Sequence, residues 1–267
     1  MRKILAVIMD WAGTTVDFGS NAPVEAFIKA FEAFGITPNI AEIRQFMGMG
    51  KLEHIKQMLE LQRISELWRE VHGRAHTSGD VDRVYENFEP ALFDVLENHA
   101  APLPGVLETV QTLREAGMFI GSTTGYTRAM MEVVAPCARE KGYAPDCLVC
   151  PEDVGRGRPY PYMLWRNLEF LGVGSISEAV KVGDTAVDMQ EGKNAGCRCV
   201  GVVRGSSMLG LCEDELAALD TNETETLFSE ARSKYYEAGA DFVIDNISAL
   251  PRLIDVINAR KNASKLN

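Results

Sequence analysis

Asp10-Trp11-Ala12-Gly13-Thr14-Thr15 follows directly on the apolar run Ile4–Met9. A carboxylate at the carboxyl end of a buried strand, with a glycine and two hydroxyls behind it, suits phosphoryl chemistry. The strand holds the acid still, the loop offers backbone N–H groups to phosphate oxygens, and Gly13 allows close approach. Position 12 is Ala. Many aspartyl-phosphate enzymes carry a second Asp there, two residues after the nucleophile, to protonate the leaving group. If Asp10 attacks phosphorus, the departing group must be activated in some other way.

Three later motifs carry compatible chemistry. Thr123-Thr124-Gly125-Tyr126 is a hydroxyl-rich turn able to hold a phosphate oxygen. Gly155-Arg156-Gly157-Arg158-Pro159-Tyr160-Pro161 presents two guanidinium groups, and Arg158 can grip a phosphate or carboxylate in a planar fork. Gly183-Asp184-Thr185-Ala186-Val187-Asp188 brings two carboxylates to one strand-to-helix turn, hard oxygen ligands suited to Mg²⁺. Alone, each has a plainer explanation in a helix cap, a turn or a surface arginine. Together, at the ends of successive strands, they describe one site.

Those strands can be read from hydrophobic spacing. Ile4–Met9 is a strand, and Asn21–Phe34 has helical spacing at Val24, Phe27, Ile28 and Phe31. From Asn39 to His99 only helical patterns occur: Ala41–Met47, Lys51–Leu61, Ile64–His72 and Val81–Leu96. Pro102-Leu103-Pro104-Gly105 then punctuates the chain. Beyond it, helices Val106–Ala116, Arg128–Lys141, Tyr162–Leu171, Ala186–Ala195 and Ile247–Ile257 alternate with strands Met118–Ser122, Cys147–Val149, Ala179–Val182, Cys197–Val203 and Phe242–Ile244. Such alternation predicts an α/β fold, a Rossmann-like parallel-sheet core with helices on both faces. The all-helical stretch predicts an inserted cap domain over residues 20–99, with residues 1–19 and 100–267 forming the core. Gly205–Thr224 shows no clear pattern, and the Lys261–Asn267 tail is expected to fray.

Composition sets outer limits. At 267 residues, 46% hydrophobic and 24% charged, the chain reads as an ordinary globular protein with room for a core and an insertion. A net charge of −11 argues against general binding to nucleic acid or anionic membrane. No apolar run approaches a membrane span, and Arg2-Lys3 precedes one too short for a signal sequence, so a cytoplasmic location is expected. Of the six cysteines, Cys147/Cys150 and Cys197/Cys199 have close spacing. Their apolar surroundings and lack of a neighbouring His favour buried free thiols over a zinc or redox site.

The order Asp10, Thr124, Arg158, Asp184/Asp188 resembles the four-motif pattern of the haloacid dehalogenase superfamily of aspartate-nucleophile phosphotransferases. Within it, Asp10-Trp-Ala-Gly-Thr-Thr, Gly121-Ser-Thr-Thr-Gly-Tyr-Thr, Gly157-Arg-Pro-Tyr-Pro and Lys181-Val-Gly-Asp-Thr are similar to the phosphonoacetaldehyde hydrolase (phosphonatase) family, with similarity through nearly the whole chain. The resemblance implies a Rossmann-like core with a helical cap, Mg²⁺, a homodimer paired through the cap, and hydrolysis of phosphonoacetaldehyde to acetaldehyde and phosphate in aminoethylphosphonate breakdown. It implies metal ligation by Asp10, the Ala12 carbonyl and Asp184, with Asp188 in or beside that shell. Gly125 and Tyr126 would shape the substrate pocket.

It also accounts for Ala12. A phosphorus–carbon bond has no bridging oxygen to protonate, so the departing carbon needs an electron sink. A lysine condensed with the aldehyde supplies one as a protonated imine. Met47-Gly48-Met49-Gly50-Lys51-Leu52-Glu53-His54 offers the candidate, with His54 three residues on along the same helix face. Gly50-Lys51 is not a Walker loop, because Leu52 and Gln45 stand where a hydroxyl residue and the first glycine belong. Lys51 must lose its proton to attack a carbonyl, which burial and a nearby cation would favour. Met47 would pack near it. Two rivals are a capped phosphomonoesterase or phosphosugar mutase, opposed by Ala12, and a non-catalytic phospholigand-binding protein, opposed by the intact Asp10, Asp184 and Asp188 set.

Overall fold

The computed structural model describes residues 3–263, so the part of the Lys261–Asn267 tail beyond Ala263 lies outside the described residues. The chain opens with β1 (Ala6–Met9) and passes into five helices: α1 (Asn21–Glu32), α2 (Ile40–Arg44), α3 (Lys51–Glu60), α4 (Gln62–His72) and α5 (Ser78–Leu96). Helices and strands then alternate through α6 (Val106–Glu115), β2 (Phe119–Thr123), α7 (Arg128–Glu140), β3 (Cys147–Val149), α8 (Tyr162–Leu171), β4 (Ala179–Gly183), α9 (Ala186–Ala195) and β5 (Arg198–Val202). The last elements are α10 (Glu213–Ala218), α11 (Thr221–Glu237), β6 (Phe242–Ile244) and α12 (Leu250–Ala263).

The six strands form one parallel sheet in the order β3-β2-β1-β4-β5-β6. β1 and β4 sit at its centre and are buried along their whole lengths, which explains their near-continuous apolar sequences. Strand order reverses between β1 and β4, and in such sheets the crevice beyond the carboxyl ends at that point receives ligands. Met9 pairs with both Ser122 and Val182, so β1, β2 and β4 end level there.

The helices between β1 and β2 pack on one another, and their buried side chains run on into the apolar cluster against one face of the sheet. α1 buries Phe27 and Phe31, and α5 buries Val81, Val84, Phe88, Leu92 and Leu96 at helical spacing. Phe27 stacks on Phe88 with centroids 4.4 Å apart. Burying one such side chain contributes roughly 1.5–3 kcal/mol, which helps hold these helices to one another. The passages into and out of this block run side by side: Val16 bridges Pro102, and Leu103 N–H donates to the Thr15 carbonyl at 2.9 Å. His99 Nδ1 lies 2.9 Å from Asp17 Oδ1.

Two segments depart from the spacing-based expectations. The helix expected over Ala41–Met47 ends at Arg44, because Gly48 (φ +89°) turns the chain before α3 begins at Lys51. α10 and α11 have no counterpart among the expected elements. α11 buries only Phe228, Ala231 and Tyr235 in 17 residues, too thin an apolar stripe to stand out among its charges.

Asn167 on α8 ties the sheet to its covering layer. Its Nδ2 donates to the carbonyls of Ser122 and Met163, both at 3.0 Å, and its Oδ1 accepts from Ser122 N–H at 3.2 Å. A Cβ at Gly121 would lie 2.4 Å from that oxygen, so a glycine is required there. Asn167→Leu should destabilise the fold by about 2 kcal/mol, because buried backbone groups of β2 lose their partner. Urea unfolding of the variant checks this.

Candidate active site

The carboxyl ends of β1, β2 and β4 deliver Asp10, Thr124 and Asp184 to one cleft. Asp10 N–H donates to the Val182 carbonyl at 3.0 Å, locking the Asp10 loop to β4. Within the loop, the Trp11 carbonyl accepts from the N–H groups of Thr14, Thr15 and Val16. Gly13 has φ +83°, and a Cβ there would lie 2.2 Å from Asp184 Oδ2. The close approach expected of Gly13 is therefore made to a neighbouring carboxylate.

Beneath the cleft lies a dry network of charge. Arg158 reaches Asp10 Oδ1 at 2.7 Å, Asp188 Oδ1 at 3.0 Å and Glu191 Oε2 at 3.0 Å. It also donates to Thr123 Oγ1 at 2.7 Å. The guanidinium is thus ringed by protein carboxylates, so its first task here is to hold them. Arg156, the other guanidinium of that loop, lies against the ring of Tyr160 instead. Lys181 sits at 2.8 Å from Asp188 Oδ1, 3.1 Å from Glu191 Oε2 and 2.7 Å from Thr123 Oγ1.

Lys181, Glu191 and Thr123 were not among the expected site residues. A signal existed: Lys181 interrupts a wholly buried strand, and a charge in such a place requires partners. Glu191, three residues after Asp188 on α9, is one of them.

Asp10, Asp184 and Asp188 bring carboxylate oxygens within 4.8 Å of one another. Burial, together with the charges of Asp10 and Asp188, pushes the Asp184 carboxyl well above its usual range. Its Oδ2 accepts from Ser207 N–H at 2.8 Å, while its buried Oδ1 has no hydrogen-bond partner. Burial likewise raises Asp10, despite Arg158. Asp188 differs: burial works against it, but Arg158 and Lys181 hold its carboxyl below the usual range. Its Oδ2 is taken by Thr185 Oγ1 at 2.6 Å, while its Oδ1 accepts no hydrogen bond but is ion-paired with Lys181 at 2.8 Å and Arg158 at 3.0 Å. An orphaned acidic oxygen among clustered carboxylates fits a divalent cation held mainly by Asp10 and Asp184.

The opposite wall comes from the helical block. The cleft is lined by Asp10, Ala12, Ser20, Met47, Gly48, Lys51, Thr124, Gly125, Tyr126, Arg158, Asp184 and Thr185. Every expected site residue except Asp188 and His54 therefore faces it, and Ser20, to which the sequence assigned no role, joins them. Asp188 lies beneath the cleft, and His54 behind Lys51. The walls meet tightly: a Cβ at Gly48 would lie 2.6 Å from Thr185 Oγ1, and one at Gly125 would lie 3.2 Å from the Gly48 carbonyl. Thr124 Oγ1 accepts from Tyr126 N–H at 3.0 Å and keeps its proton free to donate.

Lys51 is buried, with its Nζ 5.3 Å from the Tyr126 ring centroid and 5.8 Å from that of Phe27. Burial brings its amine down to about 8, although Asp10, Asp17 and Asp184 act in the opposite sense. His54 is fully buried, its ring centroid 4.1 Å from that of Phe27. Its Nε2 lies 2.8 Å from the Ile43 carbonyl, which requires that nitrogen to carry the proton. Nδ1 is then a bare acceptor, buried and without a partner. Burial and the charge of Lys51 lower the ring to about 3, so His54 is neutral across the physiological range.

The six cysteines are all free, and Cys147, Cys150, Cys197 and Cys199 are buried. Burial pushes the Cys150 thiol up to about 12, consistent with an apolar packing role. Among the described residues, no helix is long and apolar enough to cross a membrane.

The sheet, its switch point and the acidic cluster define a class, and comparison with known proteins agrees. Residues 4–196 match the haloacid dehalogenase-like hydrolase family, and the chain belongs to it. A Parabacteroides distasonis protein named phosphonoacetaldehyde hydrolase is 47% identical over 98% of this chain and 100% of its own length. One of the same name from Bacillus cereus is 45% identical over 97% of this chain and 98% of its own. A Clostridioides difficile protein named as a bifunctional phosphonoacetaldehyde hydrolase/aminoethylphosphonate transaminase is 48% identical, and the match covers 95% of this chain and 40% of that protein. The crystal structure of a phosphonoacetaldehyde hydrolase-like protein from Oleispira antarctica superposes with a TM-score of 0.94 at 37% identity, covering 97% of this chain and 94% of that one. The chain is therefore an enzyme of the phosphonoacetaldehyde hydrolase family.

Keeping Lys51 dry has an energetic cost with a defined pH window. Below about pH 8 the folded state holds a buried ammonium, and the full cost is present. Between about 8 and 10.5 the folded amine is neutral while the unfolded one is still charged, so the cost fades as pH rises. Lys51→Met should thus stabilise the fold by about 3 kcal/mol at pH 7, and the gain should shrink towards pH 10.5. Paired urea titrations of variant and native protein at the two pH values read it directly.

Proposed function

We propose that the chain hydrolyses phosphonoacetaldehyde to acetaldehyde and phosphate, through an imine on Lys51 and an aspartyl phosphate on Asp10, as a step in 2-aminoethylphosphonate breakdown. What carries the proposal is that Lys51 and Asp10 line the same cleft, the amine dry and lowered to about 8. The names of the relatives agree with the substrate, and the bifunctional relative's name pairs that hydrolase with an aminoethylphosphonate transaminase.

In this mechanism neutral Lys51 adds to the aldehyde carbon and, with one proton taken up from solvent, water departs to leave a protonated imine. His54 Nδ1, too weak a base to keep a proton, accepts a hydrogen bond and helps steer proton movement beside the amine. Asp10 attacks phosphorus as the phosphorus–carbon bond breaks, and its electron pair enters the imine to give an enamine. Thr124 donates to a phosphoryl oxygen, and Arg158 fixes Asp10 while its positive charge offsets charge building on the phosphoryl group. Water then cleaves the aspartyl phosphate, the enamine takes up a proton on carbon, and hydrolysis of the imine frees acetaldehyde.

Mg²⁺ held by Asp10, the Ala12 carbonyl and Asp184, with Asp188 positioned beside them, would neutralise developing phosphoryl charge. Gly125, Tyr126 and Met47 shape a pocket for a two-carbon aldehyde. Residues 20–99 act as a cap over a core of residues 1–19 and 100–267, pairing with a second copy in a homodimer. The protein works in the cytoplasm.

Borohydride added with phosphonoacetaldehyde should attach a reduced two-carbon unit to Lys51, found by peptide mass. Lys51→Ala and Asp10→Asn should each lower phosphate release at least about 1,000-fold, and removing Mg²⁺ with a chelator should abolish it. No borohydride adduct, with phosphate release from sugar phosphates retained by Lys51→Ala, would favour the phosphomonoesterase or phosphosugar mutase reading.

A further inference from the structure

Arg44, the last residue of α2, belongs to none of the motifs above, yet it lies where the two walls of the cleft join. Its Nη1 donates to the Gly19 carbonyl at 2.7 Å and to the Ser207 carbonyl at 3.2 Å, and its Nη2 donates to Asn21 Oδ1 at 2.9 Å. Gly19 belongs to the passage from β1 into the helical block, Asn21 opens α1, and Ser207 lies in the loop after β5. The guanidinium is half-buried and lies against backbone, since a Cβ at Gly210 would be 2.7 Å from its Nε. All its described hydrogen bonds go to neutral oxygens, while Asp17, Asp184 and Glu215 act on its charge from further off.

Its partners connect directly to the reacting groups. The residue whose carbonyl Arg44 holds, Ser207, gives its N–H to Asp184 Oδ2 at 2.8 Å. On the other side, the neighbour of Arg44 in α2, Ile43, takes the His54 ring nitrogen at 2.8 Å, and the six residues after Arg44 lead to Lys51. One side chain therefore spans the entry passage, the Asp184 loop and the Lys51 segment.

We propose that Arg44 is a positioning residue that latches the helical block onto the core, setting the Lys51 amine and the Asp184 carboxylate in register for one substrate. The catalytic consequence rests on the reaction proposed above; the latch itself does not. Separating the walls by rotation about residues 16–22 and 97–103 requires the Ser207 contact to break. Charged hydrogen bonds to carbonyls are among the stronger ones, so their loss opens the cleft without unfolding either wall.

The test uses Arg44→Ala and Arg44→Lys in the full chain, with amide hydrogen exchange and steady-state kinetics on phosphonoacetaldehyde. Arg44→Ala should exchange faster at residues 45–51 and 205–211 while the strands keep native protection. Its kcat/KM should fall about 30-fold, the size expected for losing one charged hydrogen bond. Millimolar guanidinium should restore much of that loss, and Arg44→Lys should recover part. Native exchange in both segments, with native kcat/KM, would overturn the proposal. So would faster exchange throughout the sheet with no guanidinium rescue, which is the mark of a merely structural residue. Should the native protein not act on phosphonoacetaldehyde, only the reaction fails, and the exchange data still decide the latch.

Discussion

Four carboxylates and two cations share the space under the carboxyl ends of β1 and β4, and almost none of that charge reaches water. Asp10, Asp188 and Glu191 pair with Arg158 and Lys181, while Asp184 makes no ion pair among the described residues and acts only from further off on Lys51 and Arg44. Buried charge is tolerable only when paired and hydrogen-bonded, and breaking one such pair costs several kcal/mol. The network therefore demands a stiff frame, which the two central strands provide. It also holds more carboxylates than cations, and the buried oxygens Asp184 Oδ1, Asp188 Oδ1 and Glu191 Oε1 have no hydrogen-bond partner. A site built this way calls for a cation, and one beside Asp10 would draw a phosphoryl group towards it.

The opposite wall obeys the reverse logic. It offers the amine of Lys51 and few polar groups, set among Phe27, Tyr126 and the neutral ring of His54. An ionised wall and a dry wall meet across a narrow gap whose closeness depends on glycine at positions 48 and 125, where side chains would collide with Thr185 or with backbone. Ala12 belongs to the same design. Where an acid would serve an oxygen leaving group, the chain has a methyl group, and the amine opposite is the group suited to a carbon one.

Much of this was legible in the sequence. Every strand and most helices follow from hydrophobic period, because a parallel sheet buried on both faces writes itself as short apolar runs. The residues beside Asp10 were legible because backbone motifs at strand ends are local in sequence. Two kinds of feature were not. α11 presents only Phe228, Ala231 and Tyr235 inward, so its period is lost among charges. Lys181, Glu191 and Arg44 acquire meaning only from partners far along the chain, and pattern reading sees neighbours, not partners. The reading of Arg158 shows the same limit: a phosphate ligand was a fair inference from its loop, while its engagement by Asp10, Asp188 and Glu191 emerges from the packed sheet.

The amine and the acids make opposing demands on one cleft. Asp10, Asp17 and Asp184 all favour an ammonium at Lys51, and in water a lysine with such neighbours would stay charged. Burial outweighs them, which requires that the amine touch no carboxylate and that the rings near it bind cations weakly. Their centroids, at 5.3 and 5.8 Å, lie near the outer limit for a cation–π contact, so neither ring strongly favours the charged form. Dryness is thus the largest influence on the Lys51 amine, with the nearby charge of Arg158 acting in the same sense, and it depends on the two walls meeting as they do here. The packing that sets Lys51 across the cleft from Asp10 thereby also favours the unprotonated amine, so placement and lowered basicity are consequences of one arrangement.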